Sequence, residues 1–273
     1  MANPESFRGS TSRFLRVRPG VLLKYPAQIR KESKLYEQLT AKIANNFAVE
    51  RQILGILGEH PRIVTYLGWQ DEPEGLLLAE ASHGSLQRYL DEHGDAVPSP
   101  LRKKWCRQVV ESIAYIHHRG VVHSDLRPDN FLVHATTPTS LDLRLCDFGG
   151  STCEGLGLDG GSLPDSGFFD PNSEPEASSK ASTSTDIFSI ASVLYTILTG
   201  HWPYRRPGPR PFESCEELED YQRTVDGLFQ RGEFPDVDGI WGGVVIMRCW
   251  MNEYASAQDV LRALESEMRE EIS

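Results

Sequence analysis

The apolar residues of this chain keep one spacing before Gly84 and another after it, and that switch restricts its possible folds more than any other feature. Before Gly84 they come mostly in short runs broken by turn residues. Arg13–Arg18 reads as a strand, Pro19-Gly20 as a turn and Val21–Tyr25 as a second strand, which together make a hairpin. Ile63–Trp69 and Leu76–Glu80 read as two more strands. Residues 27–58 read as a helix between the two pairs, with Val49, Ile53 and Leu57 four apart. After Gly84 the period is helical. Ser85–Glu92 is a short helix, and Leu101–Arg119 a long one with the stripe Trp105, Val109, Ile113 and Ile116, capped by Gly120. Phe131–Val133 and Leu143–Cys146 are short strands around a loop, and Asp186–Thr199 is an apolar helix closed by Gly200. Strands first and helices second predict an α+β chain with a small N-lobe and a larger C-lobe.

Composition narrows the function classes. A length of 273 residues suits one two-lobed domain with a cleft between the lobes. A formal charge of −11 disfavours nucleic acid and anionic membrane surfaces as partners. Five cysteines, an odd number with no metal-ligand spacing, argue against a disulfide framework and for a reducing compartment. The N-terminal stretch lacks an apolar signal core, and no apolar run spans a bilayer. The cytoplasm is the default expectation, with the nucleus left open. Residues 150–184, rich in Gly, Ser, Pro and acidic residues, form a long connection of the kind that is functional or disordered.

The chemistry concentrates in His123-Ser124-Asp125-Leu126-Arg127-Pro128-Asp129-Asn130, followed by Asp147-Phe148-Gly149. Moving a phosphoryl group needs a cation to neutralise the phosphates and a carboxylate to receive the hydroxyl proton. Magnesium takes oxygen ligands, which Asn130 and Asp147 can supply. Asp125 lies five residues before Asn130, so one loop can present both to the same cleft.

These two motifs, in this order, resemble the catalytic loop and magnesium loop of the eukaryotic protein kinases. The resemblance runs from about Phe14 to Glu265 and implies a protein-kinase-like two-lobed fold. It implies one domain over residues 1–273, with an N-lobe at about 10–82, a C-lobe at about 83–268 and an activation segment at about 147–172. It casts Lys24, in Val21-Leu22-Leu23-Lys24, as the lysine that holds ATP phosphates. Glu50 would be the glutamate that braces it, with Glu37 as a rival. Leu78–Ser82 looks like the adenine hinge, with Glu80 and Ser82 in it and Ala79 at the gatekeeper position. Leu22 would lie over the adenine and Leu132 under it. Asp125 would be the base, with Arg127 beside it; Asn130 and Asp147 would hold Mg²⁺, with Mn²⁺ as an alternative. Asp186 would support the catalytic-loop backbone. Phe169-Asp170-Pro171 stands near the end of the activation segment.

The chain also departs from that family. Arg8-Gly9-Ser10-Thr11-Ser12 holds one glycine where the family has three, and the first N-lobe strand is not evident. Ser124 replaces the arginine that receives a phosphorylated activation segment, although Ser151, Thr152, Ser162 and Ser166 offer acceptor hydroxyls. Leu22 replaces a smaller residue and would crowd adenine, whereas a small Ala79 would open a back pocket. The glutamate expected near Asp170 and its arginine partner within Met251–Gln258 are both missing, which predicts a loose docking loop. Residues 173–185 read as an insert. The first reading is an active kinase that uses Mg²⁺–ATP and a protein serine or threonine. The second is a nucleotide-binding pseudokinase, and the third a small-molecule phosphotransferase. The pattern also resembles a divergent fungal group.

Overall fold

A computed structural model describes residues 11–137, 139–161, 164–173, 181–205, 212 and 214–270. Strands β1 (Ser12–Arg18) and β2 (Val21–Pro26) form the expected hairpin around Pro19-Gly20. With β3 (Tyr66–Asp71) and β4 (Glu74–Ala79) they make an antiparallel sheet in the order β1-β2-β4-β3. Helix α1 (Tyr36–Leu57) packs against it through Ile43, Phe47, Ile53 and Leu57. The helix starts nine residues later than the 27–58 expectation. Residues 27–35 carry charge without an apolar stripe, so there is no face for the sheet to bury. Ile63 also lies outside its expected strand. It bridges instead to Leu145, with Val64 N–H donating to the Leu145 carbonyl at 2.9 Å, and so ties the sheet region to the helical region.

The rest is helical, with short strands inserted. Helices α2 (Leu86–His93) and α3 (Ser99–His118) precede the hairpin of β5 (Phe131–Thr137) and β6 (Ser140–Leu145). A second small hairpin, β7 (Thr152–Cys153) with β8 (Leu158–Asp159), lies inside the segment expected to be a loop. Helix α4 (Thr183–Thr199) runs through the core, and every residue from Asp186 to Ile197 is buried, which explains why it is apolar on all sides. Ser182 and Thr185 cap its start and Gly200, at φ +87°, ends it. Helices α5 (Cys215–Gln230), α6 (Gly243–Trp250) and α7 (Ala257–Glu270) complete the chain. The molecule is the two-lobed α+β protein that the switch in spacing predicts. No helix among the described residues is long and apolar enough to cross a membrane.

Candidate active site

Strand alternation aims Lys24. Leu22 and Lys24 look to one face of β2 and pair across the sheet with Leu78 and Leu76. Leu76 and Leu78 join the main core, while Leu23 on the opposite face is buried outside it. Lys24 is therefore buried and reaches toward α1. Its Nζ donates to Glu50 Oε2 at 2.7 Å and to Asp147 Oδ1 at 2.6 Å. Glu37 stands exposed in the first turn of α1, so Glu50 is the carboxylate that meets the lysine. Burial alone would push the ammonium toward neutrality. The attraction of Asp147 and Glu50 outweighs it and holds Lys24 charged above its usual range. The Asp147 side chain is half exposed, and the attraction of Lys24 outweighs its partial desolvation, so its carboxyl sits below the usual range.

The loop from His123 to Asn130 hangs from the buried Asp186 at the start of α4. Its carboxylate accepts from the backbone N–H groups of His123 (2.8 Å) and Ser124 (2.9 Å) and contacts His117 Nε2 at 2.9 Å. These bonds hold Ser124 at φ +69°, a left-handed conformation uncommon for a serine. Asp125 N–H donates to His123 Nδ1 at 3.3 Å, while His123 Nε2 lies 3.0 Å from the Cys146 carbonyl. Both bonds are satisfied by one neutral tautomer, and burial pushes this histidine down in pKa. Its ring meets the buried Phe148 edge-on at 5.1 Å, which links the His123–Asn130 loop to Asp147-Phe148-Gly149.

Asp125 is one-quarter exposed, and its carboxyl is pushed up to about 7. Burial is the main cause. Arg127 opposes it from 3.7 Å, and the negative charges of Asp165 and Asp147 add to it. Arg127 also pairs with Asp165, a residue no spacing in the sequence singled out. Asn130 Nδ2 donates to the Asp125 carbonyl at 2.6 Å, which orients the amide and leaves its oxygen as a ligand. Asp147 has its second oxygen left over from the lysine pair. An amide oxygen and a carboxylate are a donor set that suits magnesium completed by water and phosphate oxygens. Among the described residues, no group of three or more His, Cys, Asp or Glu is arranged to hold a metal unaided.

The cleft wall formed by β4 departs from the expectation for Ala79. Ala79 pairs with Val21, so its side chain faces away from Lys24, and Leu78 takes the cleft-facing position opposite Leu22. The back of the cleft is therefore closed by a buried leucine. The Glu80 side chain pairs with Arg16, and its N–H donates to the Gly20 carbonyl at 2.9 Å. Ser82 Oγ accepts from Ala135 N–H at 2.7 Å and lies 2.8 Å from His83 Nδ1. Neither side chain points to a ligand. The N–H groups of Ala81 and Ser82 have no acceptor among the described residues and remain for one. Leu132, on β5, is partly buried against the core.

Other departures resolve differently. Ser151 is buried with its Oγ on the His123 carbonyl at 3.0 Å, so it is not presented to a modifying enzyme, whereas Thr152 pairs with Val122 through its backbone and is partly exposed. Ser166 Oγ donates to Asp226 Oδ2 at 2.9 Å. Residues 8–10, Ser162 and most of the 173–185 insert lie outside the described residues. The segment from Phe168 to Asp170 is anchored: Asn252 Nδ2 donates to Asp170 Oδ2 at 2.9 Å, and Ser189 Oγ to the Phe168 carbonyl at 2.6 Å. A charge–amide bond stands where the family would have an ion pair.

The family model for the protein kinase domain matches residues 27–224, beginning just after Lys24. The chain is 29% identical over 199 residues to serine/threonine-protein kinase RAD53 of Saccharomyces cerevisiae, covering 65% of this chain and 22% of that protein. It is 25% identical over 252 residues to the human receptor tyrosine-protein kinase erbB-4, covering 89% of this chain and 18% of that protein. It is 25% identical over 240 residues to serine/threonine-protein kinase mos of Patiria pectinifera, covering 82% and 64%. The chain thus spans about a fifth of the length of the first two.

Proposed function

This chain belongs to the protein kinase domain family, and on that premise we propose that it transfers the γ-phosphate of Mg²⁺–ATP to a serine or threonine of a protein. The observation that carries the reading is the bridge from buried Glu50 through buried Lys24 to the half-exposed Asp147, with Asp125 on the neighbouring loop. A scaffold has no use for a lysine held charged between two carboxylates, whereas bound phosphates do. Lys24 orients the phosphates and Glu50 braces it. Asn130 and Asp147 hold the metal, which neutralises the phosphate charge. The backbone at residues 80–82 takes the adenine edge between Leu22 and Leu132. Asp125 positions the acceptor hydroxyl and receives its proton, and Arg127 supplies positive charge beside it. A positioned base contributes about 10²–10⁴-fold in rate.

Transfer from labelled ATP to mixed peptides, with Mg²⁺ and with Mn²⁺, tests this. Transfer by the wild type that Asp125→Asn loses is the expected result. A thermal shift on adding Mg²⁺–ATP, without transfer to any peptide, makes the protein a nucleotide-binding pseudokinase instead. Transfer to aminoglycosides but not to peptides makes it a small-molecule phosphotransferase.

A further inference from the structure

Two of the side chains that α1 buries are polar, Asn46 and Glu50. They stand four residues apart, so they share one face of the helix. Glu50 meets Lys24. Asn46 meets the segment after Asp147: its Nδ2 donates to the Lys42 carbonyl at 3.0 Å and to the Gly160 carbonyl at 3.2 Å, the amide orientation that satisfies both contacts. Beside it, Asn45 Nδ2 donates to the Asp159 carbonyl at 2.9 Å. Two consecutive amides of α1 thus hold two consecutive carbonyls at the end of β8. That end is itself fixed. Gly160 N–H donates to the Ser151 carbonyl at 2.9 Å, and Asp159 pairs with Thr152. Gly149 leaves the room that Asn46 needs, because a β-carbon built on it would lie 3.3 Å from Asn46 Cβ, closer than ordinary contact.

Where α1 sits decides whether Glu50 reaches Lys24. The helix leans on residues 148–150 more than on any strand of the sheet, so the segment after Asp147 is its main support. Asn46, one turn before Glu50, is the buried polar contact at that support. A buried amide that lost its acceptor would be costly, so the bond favours the one placement of α1 that keeps it. Both asparagines end on backbone carbonyls, so neither bond asks for a phosphate on the segment. We propose that Asn46 is a positioning residue, which seats α1 on the segment after Asp147 and so delivers Glu50 to Lys24 in the unphosphorylated chain. The proposal rests on the reading of Lys24 and Glu50 as the pair that orients the phosphates, and its test is chosen so that the two can fail separately.

The test compares phosphatase-treated wild type, Asn46→Leu, Glu50→Gln and the double variant. Leucine fills nearly the same space as asparagine and cannot donate. Amide exchange without nucleotide reads the seat: protection over residues 47–54 and 158–161 should fall in Asn46→Leu. Calorimetric titration with Mg²⁺–ATP reads the consequence and needs no turnover. Asn46→Leu should weaken binding about fivefold, the effect of one hydrogen bond. In the Glu50→Gln background it should cause no further loss, because it acts through that residue. A merely structural role would give the same loss in both backgrounds. Thermal unfolding checks the fold, and Asn46→Asp, which keeps the shape without the donor, repeats the test should the leucine variant melt. Unchanged protection, or equal losses of binding with and without Glu50, overturns the proposal. A wild type that binds Mg²⁺–ATP only before phosphatase treatment overturns it too. The expected exchange and binding pattern without transfer to any peptide keeps the proposal and sinks the kinase reading.

Discussion

Asp125 is the residue whose environment speaks most directly to mechanism. Burial, with the charges of Asp165 and Asp147, raises its carboxyl to about 7 against the pull of Arg127. A base must be ionised to work, so kcat/KM should climb about tenfold per pH unit below about 7 and level off above it. A flat profile between pH 5.5 and 8 would remove Asp125 from the role. The same shift carries a stability sign. The folded state keeps this proton through the window from about 4 to about 7 where the unfolded chain has lost it. The group therefore stabilises the fold below that window, and its contribution fades as pH rises through about 7. A second residue-scale consequence concerns the back of the cleft. Leu78 is buried there and Ala79 faces away. Leu78→Ala should cost about 2–5 kcal/mol in denaturant unfolding and admit ATP-competitive inhibitors with a bulky group aimed at that wall. Ala79→Phe should leave their binding unchanged, and the reverse pattern would restore the gatekeeper position to Ala79.

Two contacts decide how the segment after Asp147 sits as an element. Gly160 packs against the backbone of Gly149 and Gly150 so closely that a β-carbon would overlap the Gly149 carbonyl and the Gly150 backbone. Backbone cannot rotate away as a side chain can, so Gly160→Ala should destabilise by about 1–3 kcal/mol and weaken nucleotide binding. A thermal shift with Mg²⁺–ATP equal to that of the wild type would contradict this. Further along, Asn252, at φ +54°, holds Asp170. Asn252→Gly keeps that backbone conformation while deleting the bond. Amide exchange over residues 164–173 should accelerate at a cost of about 1 kcal/mol, and unchanged protection would show that Asn252 does not anchor the segment.

Across the whole molecule, the two lobes are joined by the stretch from Arg62 to Val64. Arg62 lies 3.3 Å from Glu111 and 3.7 Å from Asp142, while its carbonyl accepts from Leu145 N–H at 2.8 Å. Burial tends to raise the Asp142 carboxyl, but hydrogen bonds from Lys104, Thr136 and Gln108 outweigh it and hold it at about 2. Its contribution is therefore present above about 4 and disappears as pH falls through about 2. Asp142→Asn should lower the melting temperature at pH 7 and by less at pH 3; an equal loss at both values would discount the charge. Local pattern was enough to read the hairpin at Pro19-Gly20, the stripe of α3, the all-apolar α4 and the motifs from His123 to Asn130 and from Asp147 to Gly149. Each depends on neighbours a few positions away, whose spacing sets which face is buried. Helix α1 starts at Tyr36 and not at residue 27 because propensity without a packing face does not hold a helix. The choice of Glu50 over Glu37, of Leu78 over Ala79, the arrival of Asp165 at Arg127 and the Asn252–Asp170 bond were decided only in three dimensions. Each depends on strand register or on contacts between segments far apart in sequence, and no local period encodes those.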